Sequence, residues 1–190
     1  MMLLDILCLF SISICFCNSQ NTGGVTYLTR WRKMGLCAPS EVISFTGGST
    51  LYGVQEYWNG IVNVTRDFTA DKGIAQMEKC GEGYYPCEKF FKLEGGKRVF
   101  ENLLNTPNQA WSTLSNAINP KITSSRFKKG IYTITNATLD IEKAMLVMPE
   151  FPKYYWKLTG NCSEKGVPLF CFESEFHVFK YTQHDRKRNG

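Results

Sequence analysis

The last apolar stretch of the chain constrains the fold more than any other, because Phe170, Phe172, Phe176 and Val178 fall on one side and Cys171, Glu173, Glu175 and His177 on the other. Side chains of a β-strand point alternately to opposite faces, so this stretch buries one face, wets the other and offers no helical stripe. The pattern recurs in Gly60–Phe68, where Val62, Val64 and Phe68 alternate with Asn63, Thr65 and Asp67. It recurs again in Ile131–Thr135, and in Tyr154–Leu158, where Tyr154, Trp156 and Leu158 share a face. Antiparallel sheets with one solvated face produce such alternation.

Only the middle of the chain departs from period two. Thr106 and Pro107 read as a cap and a first helical residue, followed at helical spacing by Ala110, Trp111, Leu114, Ala117 and Ile118 and stopped by Pro120. Another helical turn is expected near Val99–Leu104. No repeat, low-complexity tract or linker divides the chain. The expectation is a mainly β domain, an antiparallel β-sandwich cup with a hydrophobic cavity and a short helical insertion, spanning residues 20–181.

Residues 1–19 read as a cleaved secretory signal. The apolar run Leu3–Phe16 is broken only by Asp5 and serines, and Cys17 and Ser19 are the small residues before a cut at Gln20. The run falls short of the roughly 20 residues a membrane span needs. Cleavage would remove Cys8, Cys15 and Cys17 and leave Cys37, Cys80, Cys87, Cys162 and Cys171. Disulfides are the expectation for a secreted chain. With no C-x-x-C spacing among these five and only 2 histidines in the chain, no metal site is expected. Asn63-Val64-Thr65 and Asn136-Ala137-Thr138 are glycosylation acceptors, and Asn161-Cys162-Ser163 is a poorer one.

The chain carries a net charge of +5, with a basic concentration in the end segment 182–190 around Arg186-Lys187-Arg188. That tract is short and has no interleaved aromatics, so it reads as a solvated tail and no nucleic-acid partner is expected. There is no G-x-S-x-G, H-E-x-x-H or phosphate-binding glycine loop. A hydrolase would have only His177 and the tail's His184 as imidazole bases, so no catalytic residue and no cofactor is assigned.

The aromatic load is the more telling feature. If the sheets are propped apart, Phe90, Phe100, Trp111, Tyr132, Ile134, Leu139, Trp156, Leu158, Phe172 and Phe176 would line a cavity. Each methylene buried there gains about 0.8 kcal/mol. Trp111 and Leu114 are then the candidates for a lid. If the core is filled instead, the domain reads as a protein-interaction module whose outer face meets a receptor or channel.

Cys80-Gly81-Glu82-Gly83-Tyr84-Tyr85-Pro86-Cys87, Phe127-Lys128-Lys129-Gly130-Ile131-Tyr132, the proline-marked stretch Pro149–Leu158 and Leu169-Phe170-Cys171 occur in a telling order. Over roughly residues 80–181 the chain resembles the GM2 activator-like group of the MD-2-related lipid-recognition superfamily. The run 127–140 looks most like the insect gustatory proteins of the CheA group, with the CheB group beside it. The resemblance implies a β-sandwich cup that takes up a lipid or hydrophobic signal, and a part in contact chemosensation and pheromone response. It also implies Cys80–Cys87 and Cys37–Cys171 bridges with Cys162 unpaired. The intervening Ser163–Phe170, containing Gly166 and Pro168, also allows a rival pairing, Cys162–Cys171 across a hairpin. Where the GM2 activator has further cysteines, this chain has Thr106–Ile118.

Overall fold

Eleven strands and three short helices are formed by the residues that the computed structural model describes, 25–107 and 109–182. In chain order these are β1 (Val25–Leu36), β2 (Ile43–Tyr52), β3 (Gln55–Val64), β4 (Phe68–Thr69), β5 (Lys72–Cys80) and β6 (Cys87–Gly96). There follow α1 (Lys97–Asn105), α2 (Ser112–Asn116), β7 (Ile118–Asn119), β8 (Arg126–Phe127) and β9 (Gly130–Ala137). The last three are α3 (Ile141–Val147), β10 (Tyr155–Glu164) and β11 (Val167–Thr182). The signal segment 1–19 and residues 183–190 of the basic tail lie outside the described residues, while Thr182 closes the last strand.

A five-stranded sheet runs β1-β11-β10-β5-β6 and a four-stranded sheet runs β2-β3-β9-β7; β4 and β8 form a separate pair. The sheets are antiparallel and face each other across an apolar interior, giving the mainly β sandwich expected from the alternation. The β10–β11 hairpin sets the register of the larger sheet. Lys165 and Gly166, both at positive φ, make the two-residue turn between Glu164 and Val167. From there Trp156 pairs with Phe176 and Leu158 with Ser174, which keeps Phe172, Phe176 and Val178 facing inward.

The interior has two ends. At one, Trp31, Trp156, Phe176 and Val178 of the larger sheet are sealed by Ile141 and Ala144 of α3 and by Phe151. Trp156 is fully buried, its indole N–H donating to the Phe151 carbonyl at 2.9 Å. At the other end, Val42, Ile43, Val64, Tyr132, Cys162 and Leu169 pack between the two sheets.

The helical region differs from expectation. Thr106 does not start a helix but ends α1, its N–H and hydroxyl both reaching the Asn102 carbonyl at 2.9 and 2.6 Å. Pro107 lies in the turn that follows, α2 is confined to Ser112–Asn116, and Ile118 already belongs to β7. Strand pairing of Ile118 with Ile134 overrides the helical spacing. The α1 helix is longer than the single turn expected near Val99–Leu104. Helix α3 went unpredicted, although Asp140 accepts from the Lys143 N–H at 3.2 Å as its cap. The spacing of Ile141, Ala144, Met145 and Met148 behind Asp140 is the signal that marks it.

Two disulfides are present among the described residues. Cys37–Cys171 joins the end of β1 to β11, and Cys80–Cys87 closes the loop between β5 and β6. The Cys162–Cys171 alternative is excluded, since Cys171 is taken and Cys162 is a buried free thiol.

Candidate ligand-binding site

A hollow lies at the second end of the interior. A cavity of about 160 Å³ is bounded on the five-stranded side by Leu36 of β1 and by Phe170 and Phe172 of β11. On the other side it meets Ile43 and Phe45 of β2, Val62 and Val64 of β3, Ile118 of β7, and Tyr132 and Ile134 of β9. Phe68 and Phe127, stacked at 4.7 Å on the β4–β8 pair, close its end together with Ile122. Alternation explains the wall: these strand residues are the inward-facing members of their strands, and their neighbours Asn63 and Ile131 are exposed.

Its chemistry is that of carbon. The one hydroxyl in the lining, on Tyr132, donates to the Lys128 carbonyl at 3.0 Å and accepts from the Lys128 N–H at 3.2 Å. Only the tyrosine ring is therefore left for the interior. Cys162 lies in the same cluster but not on the cavity wall; burial, reinforced by the charges of Glu164 and Asp71, pushes its thiol up to about 11. That keeps it protonated and unreactive at neutral pH.

A second space opens beside the first. An open groove of about 530 Å³ runs along Met34–Pro39 and Phe45–Gly47, where β1 and β2, each the edge strand of its sheet, come side by side. Leu36 and Phe45 line both groove and cavity. The Phe45 ring stacks on Trp58 at 5.9 Å and meets Phe172 edge-on at 5.8 Å.

The expected lining residues separate along the sandwich. Tyr132, Ile134 and Phe172 line the cavity. Phe100 stands one layer behind, against Phe127 of its wall at 5.9 Å. Trp156, Phe176, Leu158 and Leu139 belong to the sealed end. Phe90 is the extra residue of a β-bulge opposite Met77 and Glu78, 39% exposed, with its ring edge-on to Trp156 at 5.2 Å. Trp111 bonds the Leu103 carbonyl of α1 at 2.8 Å, and neither it nor Leu114 borders the cavity or the groove. The boundary position belongs instead to Phe45. Its signal was the alternation Ile43-Ser44-Phe45-Thr46, a strand pattern in a part of the chain that carried no motif.

The outer face of the larger sheet is charged and paired. Lys33 meets Glu173 at 2.6 Å, and Glu175 lies between Arg32 at 3.5 Å and Lys157 at 3.3 Å. His177 stacks on Tyr155 at 4.3 Å, and burial lowers its pKa. The three sequon asparagines, Asn63, Asn136 and Asn161, are exposed, as a glycan requires. Among the described residues no group of His, Cys, Asp or Glu side chains could hold a metal ion, and no helix is long and apolar enough to cross a membrane.

In comparison with known proteins, no family model matches the chain and no curated protein matches it.

Proposed function

We propose that this chain is a secreted, glycosylated binding protein for a lipid or other hydrophobic molecule, acting without a covalent step. The observation that supports this most is the cavity itself: an apolar hollow between two sheets whose single hydroxyl is already satisfied. Such a space is unfavourable to water and favourable to hydrocarbon. Two disulfides suit an oxidising compartment. Contact chemosensation, with a pheromone-like ligand, is the role the resemblance to the gustatory CheA group adds to this reading.

A second reading is favoured by size. The cavity is smaller than the roughly 300 Å³ at which pockets for drug-sized ligands begin. The β2–β3 hairpin, moreover, presents Leu51 and Tyr52 at 54% and 79% exposure. These features suit an interaction module that addresses a receptor or channel.

Native mass spectrometry of the secreted, deglycosylated protein, with an organic extract run alongside, separates the two. A co-purifying lipid or hydrocarbon supports the carrier. A bare protein that also fails to take up a fluorescent fatty acid overturns it in favour of the interaction module.

A further inference from the structure

The groove and the cavity share two wall residues, Leu36 and Phe45, and three glycines lie close to the Phe45 ring. A Cβ on Gly60 would stand 3.0 and 3.1 Å from the Phe45 ring, one on Gly47 2.8 Å from it, and one on Gly35 3.9 Å. The Gly47 distance is closer than real Cβ atoms approach and the Gly60 distances are tight, so a side chain at 47 would displace the ring and one at 60 would press it by a few tenths of an ångström. Phe45 is only half-buried, held by Trp58 and Phe172 on the inside and facing the groove on the outside. Both strands that frame it, β1 and β2, are edge strands, so moving the ring breaks no interior sheet ladder.

We propose that Phe45 is the gate of the cavity, and that the ligand is an uncharged amphiphile whose short apolar end passes the gate while its polar end stays in the groove. This deepens the binding function proposed above and rests on it. The size of the apolar end follows from the volume, since a hydrocarbon-lined cavity of about 150 Å³ holds benzene or xenon, so about six carbons fit. The absence of charge at the other end follows from the groove. Its lining is Met34–Pro39 and Phe45–Gly47, a segment with no Lys, Arg, Asp or Glu, in which Thr46 supplies the only hydroxyl. The open groove offers no counter-charge to hold a carboxylate or phosphate, whereas an alcohol or ester needs only hydrogen bonds.

Xenon tests the gate independently of any natural ligand. In ¹²⁹Xe exchange NMR on the intact protein, Phe45→Ala should speed exchange between solvent and cavity by about tenfold, a barrier change of about 1.4 kcal/mol. Gly60→Ala, which keeps the ring but presses it by a few tenths of an ångström, should act in the same direction by a smaller factor and guards against a Phe45→Ala chain that fails to fold. Unchanged exchange in a folded variant, or no bound xenon in the wild type, overturns the gate. In the wild type 1-hexanol should displace xenon at lower concentration than hexanoate at neutral pH. Equal displacement by both overturns the assignment of an uncharged ligand. Displacement by neither, with exchange still dependent on Phe45, overturns the ligand and the binding function together while the gate stands.

Discussion

Phe172 and Phe176 share a strand face two pleat repeats apart and sit in opposite surroundings. Phe176 is 1% exposed between Trp31 and Phe151, with rings at 5.2 and 6.1 Å, so truncation leaves a hole that nothing can fill. Phe176→Ala should therefore cost about 3–5 kcal/mol in urea denaturation. Phe172 borders a void already and has fewer partner atoms to lose, so Phe172→Ala should cost clearly less; equal losses would mean that the cavity is closed in solution. His177 gives a prediction in pH. Burial lowers its pKa below the ordinary 6.5, so the unfolded chain takes up the proton first. Its contribution is thus complete above about pH 6.5 and is lost as pH falls through that value toward the lowered one. The carboxylates held low by their partners, such as Glu164 beside Thr69 and Arg66, begin to lose stability only near their ordinary 4.5, which leaves the histidine window separate. The urea midpoint should drop between about pH 7.5 and 5.5 in the wild type and much less in His177→Phe. An equal drop in both would place the effect elsewhere.

Among the elements, the two disulfides should contribute unequally. Cys37–Cys171 spans 134 residues of sequence and Cys80–Cys87 spans 7. In the chain-entropy account, replacing the first pair by serine costs about 5 kcal/mol and the second about 2.4 kcal/mol. Chemical denaturation of the two double variants checks the ratio, and a larger loss from the short loop would contradict it. Asp140→Ala, which removes the side-chain cap of α3, should cost about 1 kcal/mol by the same measurement, since it loosens the cover over Trp156. The strands were legible because a pleat has period two. Phe170 through Val178 and Val62 with Val64 declare their inner face locally, and the register follows from the Lys165-Gly166 turn. The helices were not, because they are short and decided by neighbours, with Thr106 closing α1 and Ile118 captured by β9. Alternation says which side of a strand is buried but not how far along the sandwich a residue lies. For that reason Trp156 and Phe172 entered one expected lining and stand at different ends. For Phe45 the alternation Ile43-Ser44-Phe45-Thr46 marks a strand, but its place at the boundary depends on two sheet edges, β1 and β2, that meet only in the fold.

For the whole molecule, the unequal ends have an energetic meaning. A void of about 160 Å³ costs about 4 kcal/mol at roughly 24 cal/mol per Å³, a large part of the 5–15 kcal/mol that stabilises an ordinary domain. The packing around Trp156, Phe176 and α3, together with the long disulfide, must offset that cost. A ligand that fills the hollow should then stabilise the fold strongly. At a hundredfold excess over Kd the gain is about 2.7 kcal/mol, which for a domain of this size raises Tm by about 5–10 °C. Val62→Phe, which places a ring in the cavity from the wall of β3, should melt at or above the wild-type temperature and lose that ligand-dependent rise. The pairing of the two results is what discriminates. A filled variant that gains stability but still responds to the ligand would put the binding site elsewhere on the molecule, and one that simply unfolds would mean that the interior has no room to spare.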